Sequence, residues 1–133
     1  MLETDPEVLA AFSEEATERL AALEAGLLEL ERAQAAPPPE LLNAVFRDAH
    51  SIKAGANLLR MRDIETAAHR LENVLDCLRR GLLAPGEGVI GPLLDGVDLL
   101  RELLDKPEAP APPDMPRRLA VLSALADRPQ EAS

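Results

Sequence analysis

With 133 residues and a mass of 14.3 kDa, the chain has room for one domain around one core. Its formal charge of −10, from 24 acidic against 14 basic side chains, excludes nucleic acid and an anionic membrane surface as partners, since both reward a basic face. Cys77 is the only cysteine, which rules out an internal disulfide and a Cys-rich zinc site, and the lack of Trp and Tyr leaves Leu, Ala and Val to build an all-α core.

Five helices are predicted in chain order. The first starts at Asp5-Pro6, a capping residue followed by proline at the first helical position. Leu9, Phe12, Ala16, Leu20, Leu23, Leu27 and Leu30 mark its apolar face, and its end is expected near Ala35, before Pro37-Pro38-Pro39. The second starts around Glu40 with Leu42, Val45, Ala49, Ile52, Ala56 and Leu59 inward. The third runs from about Asp63 to Arg80, with Gly81 as its stop signal and Cys77 in or beside the core. A fourth follows Pro85-Gly86 on the stripe Ile90, Leu93, Leu94, Val97, Leu100 and Leu104, although Gly91, Pro92 and Gly96 weaken its first half. Residues 107–116 form a stiff Pro-rich connection to a short fifth helix over about 114–126.

Short loops between amphipathic helices predict an antiparallel up-down four-helix bundle over residues 5–106, with the fifth helix docked outside. Residues 127–133 have linker composition, which suggests the N-terminal module of a longer protein. The N-terminus has no signal-peptide pattern and no apolar run approaches the ~18–20 residues of a membrane span, so a cytoplasmic location is expected. With no apolar stripe left over, a monomer is the simplest expectation for this fragment.

The two histidines carry the chemistry. His50 falls roughly 130° from the centre of the second helix's apolar stripe, and so faces solvent. Phe46, Lys53 and Ala54 are its neighbours one turn away, and Gly55 lies beside them. Gly55 serves either close packing in a buried seam or the approach of another protein's backbone. On the third helix His69 and Glu72 share a face. If the second and third helices pair antiparallel, Glu72 is placed to accept a hydrogen bond from one ring nitrogen of His50, leaving the other nucleophilic. Lys53 is then available to offset the charge of a bound phosphoryl group. A ferritin-like metal centre is excluded, because it needs Glu-x-x-His on two helices and this chain has only the reversed order His69-x-x-Glu72. No metal site is expected.

The segment Ala49-His50-Ser51-Ile52-Lys53-Ala54-Gly55-Ala56 resembles the phosphoacceptor motif of histidine-phosphotransfer (HPt) domains, in the form found at the N-terminus of CheA-type chemotaxis histidine kinases. His69-Arg70-Leu71-Glu72-Asn73-Val74-Leu75-Asp76 is similar to that family's second motif, and the resemblance covers roughly residues 5–105. It implies that His50 is phosphorylated on Nε2, that Glu72 holds Nδ1–H, and that Lys53 and His69 stabilise the phosphorylated form. Ser51, Ala54 and Gly55 would form the docking surface for partners. The implied partners are a histidine-kinase catalytic domain, which would use ATP and Mg2+ while this module binds no cofactor, and an aspartate on a response-regulator receiver. The module would not be catalytic alone, and its parent would be a CheA-like autokinase. Two departures stand out: Ala54 replaces the family's first glycine, and Asn57-Leu58-Leu59-Arg60-Met61 replaces G-T-F-G-F, so the missing glycine at Arg60 bears on the turn between the second and third helices. They keep open an alternative, a degenerate HPt-like bundle acting only in protein–protein interaction.

Overall fold

The computed structural model describes residues 5–33 and 36–128, and within them five α-helices and no strand: α1 Pro6–Ala33, α2 Pro39–Leu58, α3 Arg62–Arg79, α4 Glu87–Asp105 and α5 Met115–Ala126. The expected end of α1 near Ala35 and the tail from residue 129 onward lie outside the described residues.

Local chemistry sets the boundaries. At the start of α1 the Asp5 carboxylate accepts from the Glu7 N–H at 2.8 Å, satisfying one of the amides left without an intrahelical partner. Pro38, in extended conformation, precedes Pro39 in the first turn of α2, where proline loses no needed donor. Helices α2 and α3 end alike. Met61 N–H reaches back to Ala56 O at 2.9 Å and Leu82 N–H to Cys77 O at 2.8 Å, each closing a Schellman turn. The motif needs one left-handed residue. In α3 it is Gly81, with φ of 77°, and in α2 it is Arg60, with φ of 61°. The position where the family resemblance expects glycine is thus held in a glycine conformation by an arginine, and the α2–α3 turn closes as the turn after α3 does.

The helices form a ring in which α1 packs on α2 and α4, and α3 packs on α2 and α4. Cross-helix pairs fix the directions. Arg19 of α1 meets Asp48 of α2 at 3.3 Å while Phe12 lies against Gly55, and Asn57 of α2 meets Glu65 of α3 at 2.8 Å while His50 meets Glu72. Both pairs of helices therefore run antiparallel, and the fold is the all-α bundle expected. Leu20, Leu23, Ile52, Leu71, Leu75, Leu93 and Leu100 are fully buried at its centre.

Helix α5 is more than an outer attachment. It lies across α3 and α4 and puts Met115, Leu122 and Leu125 into the same continuous core. Arg118 pins it there: its guanidinium bonds Asp95 at 3.0 and 3.1 Å and Glu102 at 3.0 and 3.2 Å, both on α4. These carboxylates raise its already high pKa further, so the charge is permanent. Helix α4 continues through Pro92, and Gly96, which weakened it as a sequence, serves packing: a Cβ there would lie 2.7 Å from Leu71 Cδ2. Cys77 is half-buried, its Sγ 3.8 Å from the Ala126 carbonyl, and burial pushes its thiol pKa up. Among the described residues no helix is long and apolar enough to cross a membrane.

Candidate functional site

The α2–α3 pair brings His50, Lys53 and Glu72 together. His50 projects from the middle of α2 with its side chain 54% exposed, while Glu72 on α3 is 7% exposed and is the one buried charged residue among those described. A carboxylate so placed must be paired, since burial without partners costs several kcal/mol (about 1–3 or more per unmet group). It is paired twice. Glu72 Oε2 accepts from His50 Nδ1, and Oε1 accepts from Lys53 Nζ at 2.6 Å.

Burial pushes the Glu72 carboxyl upward, but the hydrogen bonds from Lys53 and His50, with their charges, outweigh it and hold the group below its usual 4.5. Glu72 is therefore ionised at neutral pH. Against an ionised carboxylate, the proton of a neutral imidazole belongs on Nδ1, which leaves Nε2 with its lone pair. An exposed ring with an unprotonated Nε2 is an oriented nucleophile.

Lys53 is bound to Glu72, where the sequence leaves it available to a phosphoryl group. Its ammonium is spent on Glu72, so its direct effect is to keep that carboxylate charged and fixed. His69 is exposed and borders a shallow groove of about 330 Å³ with Arg62, Glu65, Thr66 and Arg70. It is one turn from Glu72, and among the described residues it has no hydrogen bond to the His50–Glu72–Lys53 cluster. Ser51 is half-buried and Ala54 exposed next to His50. Gly55 corrects the expectation that it leaves the surface open to partners. A Cβ there would lie 2.7 Å from Phe12 Cε1 and 2.9 Å from Cδ1, so the missing side chain makes room for Phe12 within the bundle.

Phe46, the expected neighbour one turn before His50, has a role that the sequence does not show, and Arg79 is not foreseen at all. The Phe46 ring stacks with His50, centroids 6.0 Å apart and planes 15° from parallel, and the Arg79 guanidinium lies 3.9 Å from the Phe46 centroid. Arg79 is in turn bonded to Asp76 at 2.6 Å. The antiparallel register carried the signal: with His50 opposite Glu72, Phe46 must face the last turn of α3. Among the described residues no group of three His, Cys, Asp or Glu side chains is placed to hold a metal.

Comparison with known proteins bears on the family and the fold. The family model described as Hpt domain matches residues 7–109. The chain is 41% identical over 97 residues to the chemotaxis protein CheA of Rhizobium meliloti, covering 73% of the chain and 12% of that protein. It is 36% identical over 121 residues to CheA of Salmonella typhimurium, covering 91% of the chain and 18% of that protein. The chain thus spans less than a fifth of these curated relatives. Among solved structures, the phosphorylated P1 domain of CheA3 from R. sphaeroides, in complex with CheY6, has the same fold, with a TM-score of 0.77 at 21% identity, covering 92% of this chain and 97% of that one.

Proposed function

From the premise that the chain belongs to the Hpt domain family, we propose that it is the phosphotransfer module of a two-component signalling protein and that His50 is its phosphoacceptor. The observation that carries the reading is the buried, ionised Glu72 holding Nδ1 of an exposed histidine.

The reaction needs little more from this chain. The Nε2 lone pair attacks the γ-phosphorus of ATP held with Mg2+ by a separate kinase domain. An N–P bond forms and the P–O bond to ADP breaks, with the electron pair leaving on ADP. The imidazole becomes positive as the bond forms, and Glu72, already bonded to Nδ1–H, stabilises that charge without having to reorient. In the second transfer an aspartate oxygen on a receiver domain attacks the phosphorus, the N–P bond breaks, and its electrons return to the ring. No proton has to leave Nε2, so the transfer asks no base of this chain, and the metal would come with the nucleotide of the kinase domain. Lys53 acts at the site through its bond to Glu72, and the exposed His69 lies one turn from Glu72 on α3, on the side a partner would approach. Ser51 and Ala54 lie on the surface a partner must cover.

The same reading makes the parent protein a CheA-like histidine autokinase working in the cytoplasm. The test is phosphoramidate labelling followed by intact-mass analysis of wild type and His50→Gln. One acid-labile phosphoryl group on wild type alone supports the assignment. Labelling that persists in the variant moves it to His69. A folded wild type that stays unlabelled, beside a competent control domain, favours the interaction-only bundle.

A further inference from the structure

We propose that Phe46 is a positioning residue for His50, held in place by Arg79, and that α3 therefore fixes the acceptor ring by two separate routes. The proposal rests on the reading of His50 as the acceptor and adds residues that the motif resemblance does not assign.

The argument begins with what one hydrogen bond can fix. Glu72 holds Nδ1, but an imidazole tethered at one nitrogen still rocks about that contact and swings its plane. In-line attack requires the Nε2 lone pair, which lies in the ring plane, to point at phosphorus. A second contact on the ring face is needed to set the plane. In a helix, long side chains lean back toward the preceding turn, so His50 leans over residue 46. Phe46 supplies a flat surface there, and a centroid separation of 6.0 Å at 15° is within the range of offset stacking.

Phe46 is only half-buried, and an unsupported ring at a surface would itself be mobile. Arg79 removes that freedom: its guanidinium lies 3.9 Å from the ring centroid, a cation–π distance, and Asp76 holds the guanidinium at 2.6 Å. The route Asp76–Arg79–Phe46–His50 leaves α3 one turn and more beyond Glu72. One helix thus sets both the tautomer of the acceptor, through Glu72, and its plane, through Phe46.

The experiment measures the rate of phosphoramidate labelling together with the NMR of the His50 ring, in the whole chain. Phe46→Leu keeps an apolar side chain and removes the flat face. The expected result is a labelling rate constant about tenfold lower at fixed phosphoramidate, with the 15N shifts of His50 still showing Nδ1–H and with greater ring mobility. Phe46→Tyr should restore both rate and ring order. Arg79→Gln should give a smaller loss, and Arg79→Lys should keep most of the rate. A purely structural role would lower the melting temperature and leave the rate and ring dynamics of the folded protein unchanged, which would overturn the proposal. If Phe46→Leu does not fold, Arg79→Gln, at a partly exposed site, decides alone: a wild-type rate with unchanged ring order refutes the route through Arg79. Failure to label the wild type would sink the acceptor assignment itself, a different outcome from labelling that ignores Phe46.

Discussion

Arg60 and Gly81 hold the same place in two copies of one motif, so exchanging side chain and glycine at these sites should move stability in opposite directions. Each turn is closed by a long-reach bond, at 2.9 Å after α2 and 2.8 Å after α3, and by a 3.1 Å bond from the left-handed residue itself, to Asn57 O and Leu78 O respectively. With φ of 61°, Arg60 has its Cβ close to the following carbonyl, a conflict of about 1–2 kcal/mol that glycine does not have. Glycine returns about 0.4–1 kcal/mol of this through the greater freedom of the unfolded chain. Arg60→Gly should therefore stabilise the protein by about 0.5–1 kcal/mol. Gly81→Ala should destabilise it by a similar amount. A Cβ at Gly81 meets nothing within 4 Å, so its cost is conformational and free of packing. In a chain of this size about 1 kcal/mol is roughly 3–5 °C in Tm. Urea denaturation of wild type, the two single variants and the double variant would measure both effects, and an unchanged m-value would assign them to stability. A neutral or destabilising Arg60→Gly beside a destabilising Gly81→Ala would refute the reasoning, since the arginine would then contribute more than its backbone costs.

Three further outcomes follow from the same structure. Because the folded-state pKa of Glu72 lies below 4.5, its contribution to stability is present above that value and is lost as pH falls through the folded pKa. Urea melts taken from pH 7 down to pH 3 should show an acid limb in wild type that Glu72→Gln flattens, and the variant should also label more slowly with phosphoramidate. Gly96→Ala places a methyl 2.7 Å from Leu71 Cδ2, and overpacking of about 1–3 kcal/mol set against about 0.5–1 kcal/mol of regained helix propensity should leave a net cost of about 0.5–2 kcal/mol, measured in the same melts. Arg118→Gln removes charge-assisted bonds to Asp95 and Glu102 worth about 2 kcal/mol together. It should lower amide protection in α5 in hydrogen-exchange measurements while leaving α1 and α2 as they were.

The helices and the heart of the site were legible in the sequence for different reasons. Apolar residues at steps of three and four locate α1 to α3 because burial on one face imposes that period. Proline and glycine mark the ends because they break backbone hydrogen bonding or supply the left-handed residue. His50 and Glu72 could be joined by register alone, once α2 and α3 were taken as antiparallel neighbours. What a helix-by-helix reading does not reveal is which of two uses a residue serves across an interface. Gly55 reads equally as a packing notch or open surface and Gly96 as a weak point, and both are sites of close approach to a side chain on another helix. Lys53 reads as a free cation near His50, and it is bound to Glu72. Helix α5 reads as an appendage, because nothing local says that Leu122 reaches the core or that Arg118 has two carboxylates waiting on α4.

The notches left by Gly26, Gly55 and Gly96 also set a ruler along the bundle. Each receives a side chain from another helix: Val45 Cγ1 lies 2.5 Å from where a Cβ of Gly26 would be, and Phe12 and Leu71 occupy the other two. A side chain seated in a notch resists sliding along the helix axis, where a smooth apolar stripe would tolerate it. One residue of slip between helices is about 1.5 Å, more than the His50–Glu72 hydrogen bond can absorb. Gly26 and Gly55 index α1 against α2, and Gly96 indexes α4 against α3, so both helices that carry the site are held from behind. The tolerance of an exposed histidine is thereby inherited from packing details in the interior, and a methyl group added at one of them should be felt in the chemistry as an axial offset.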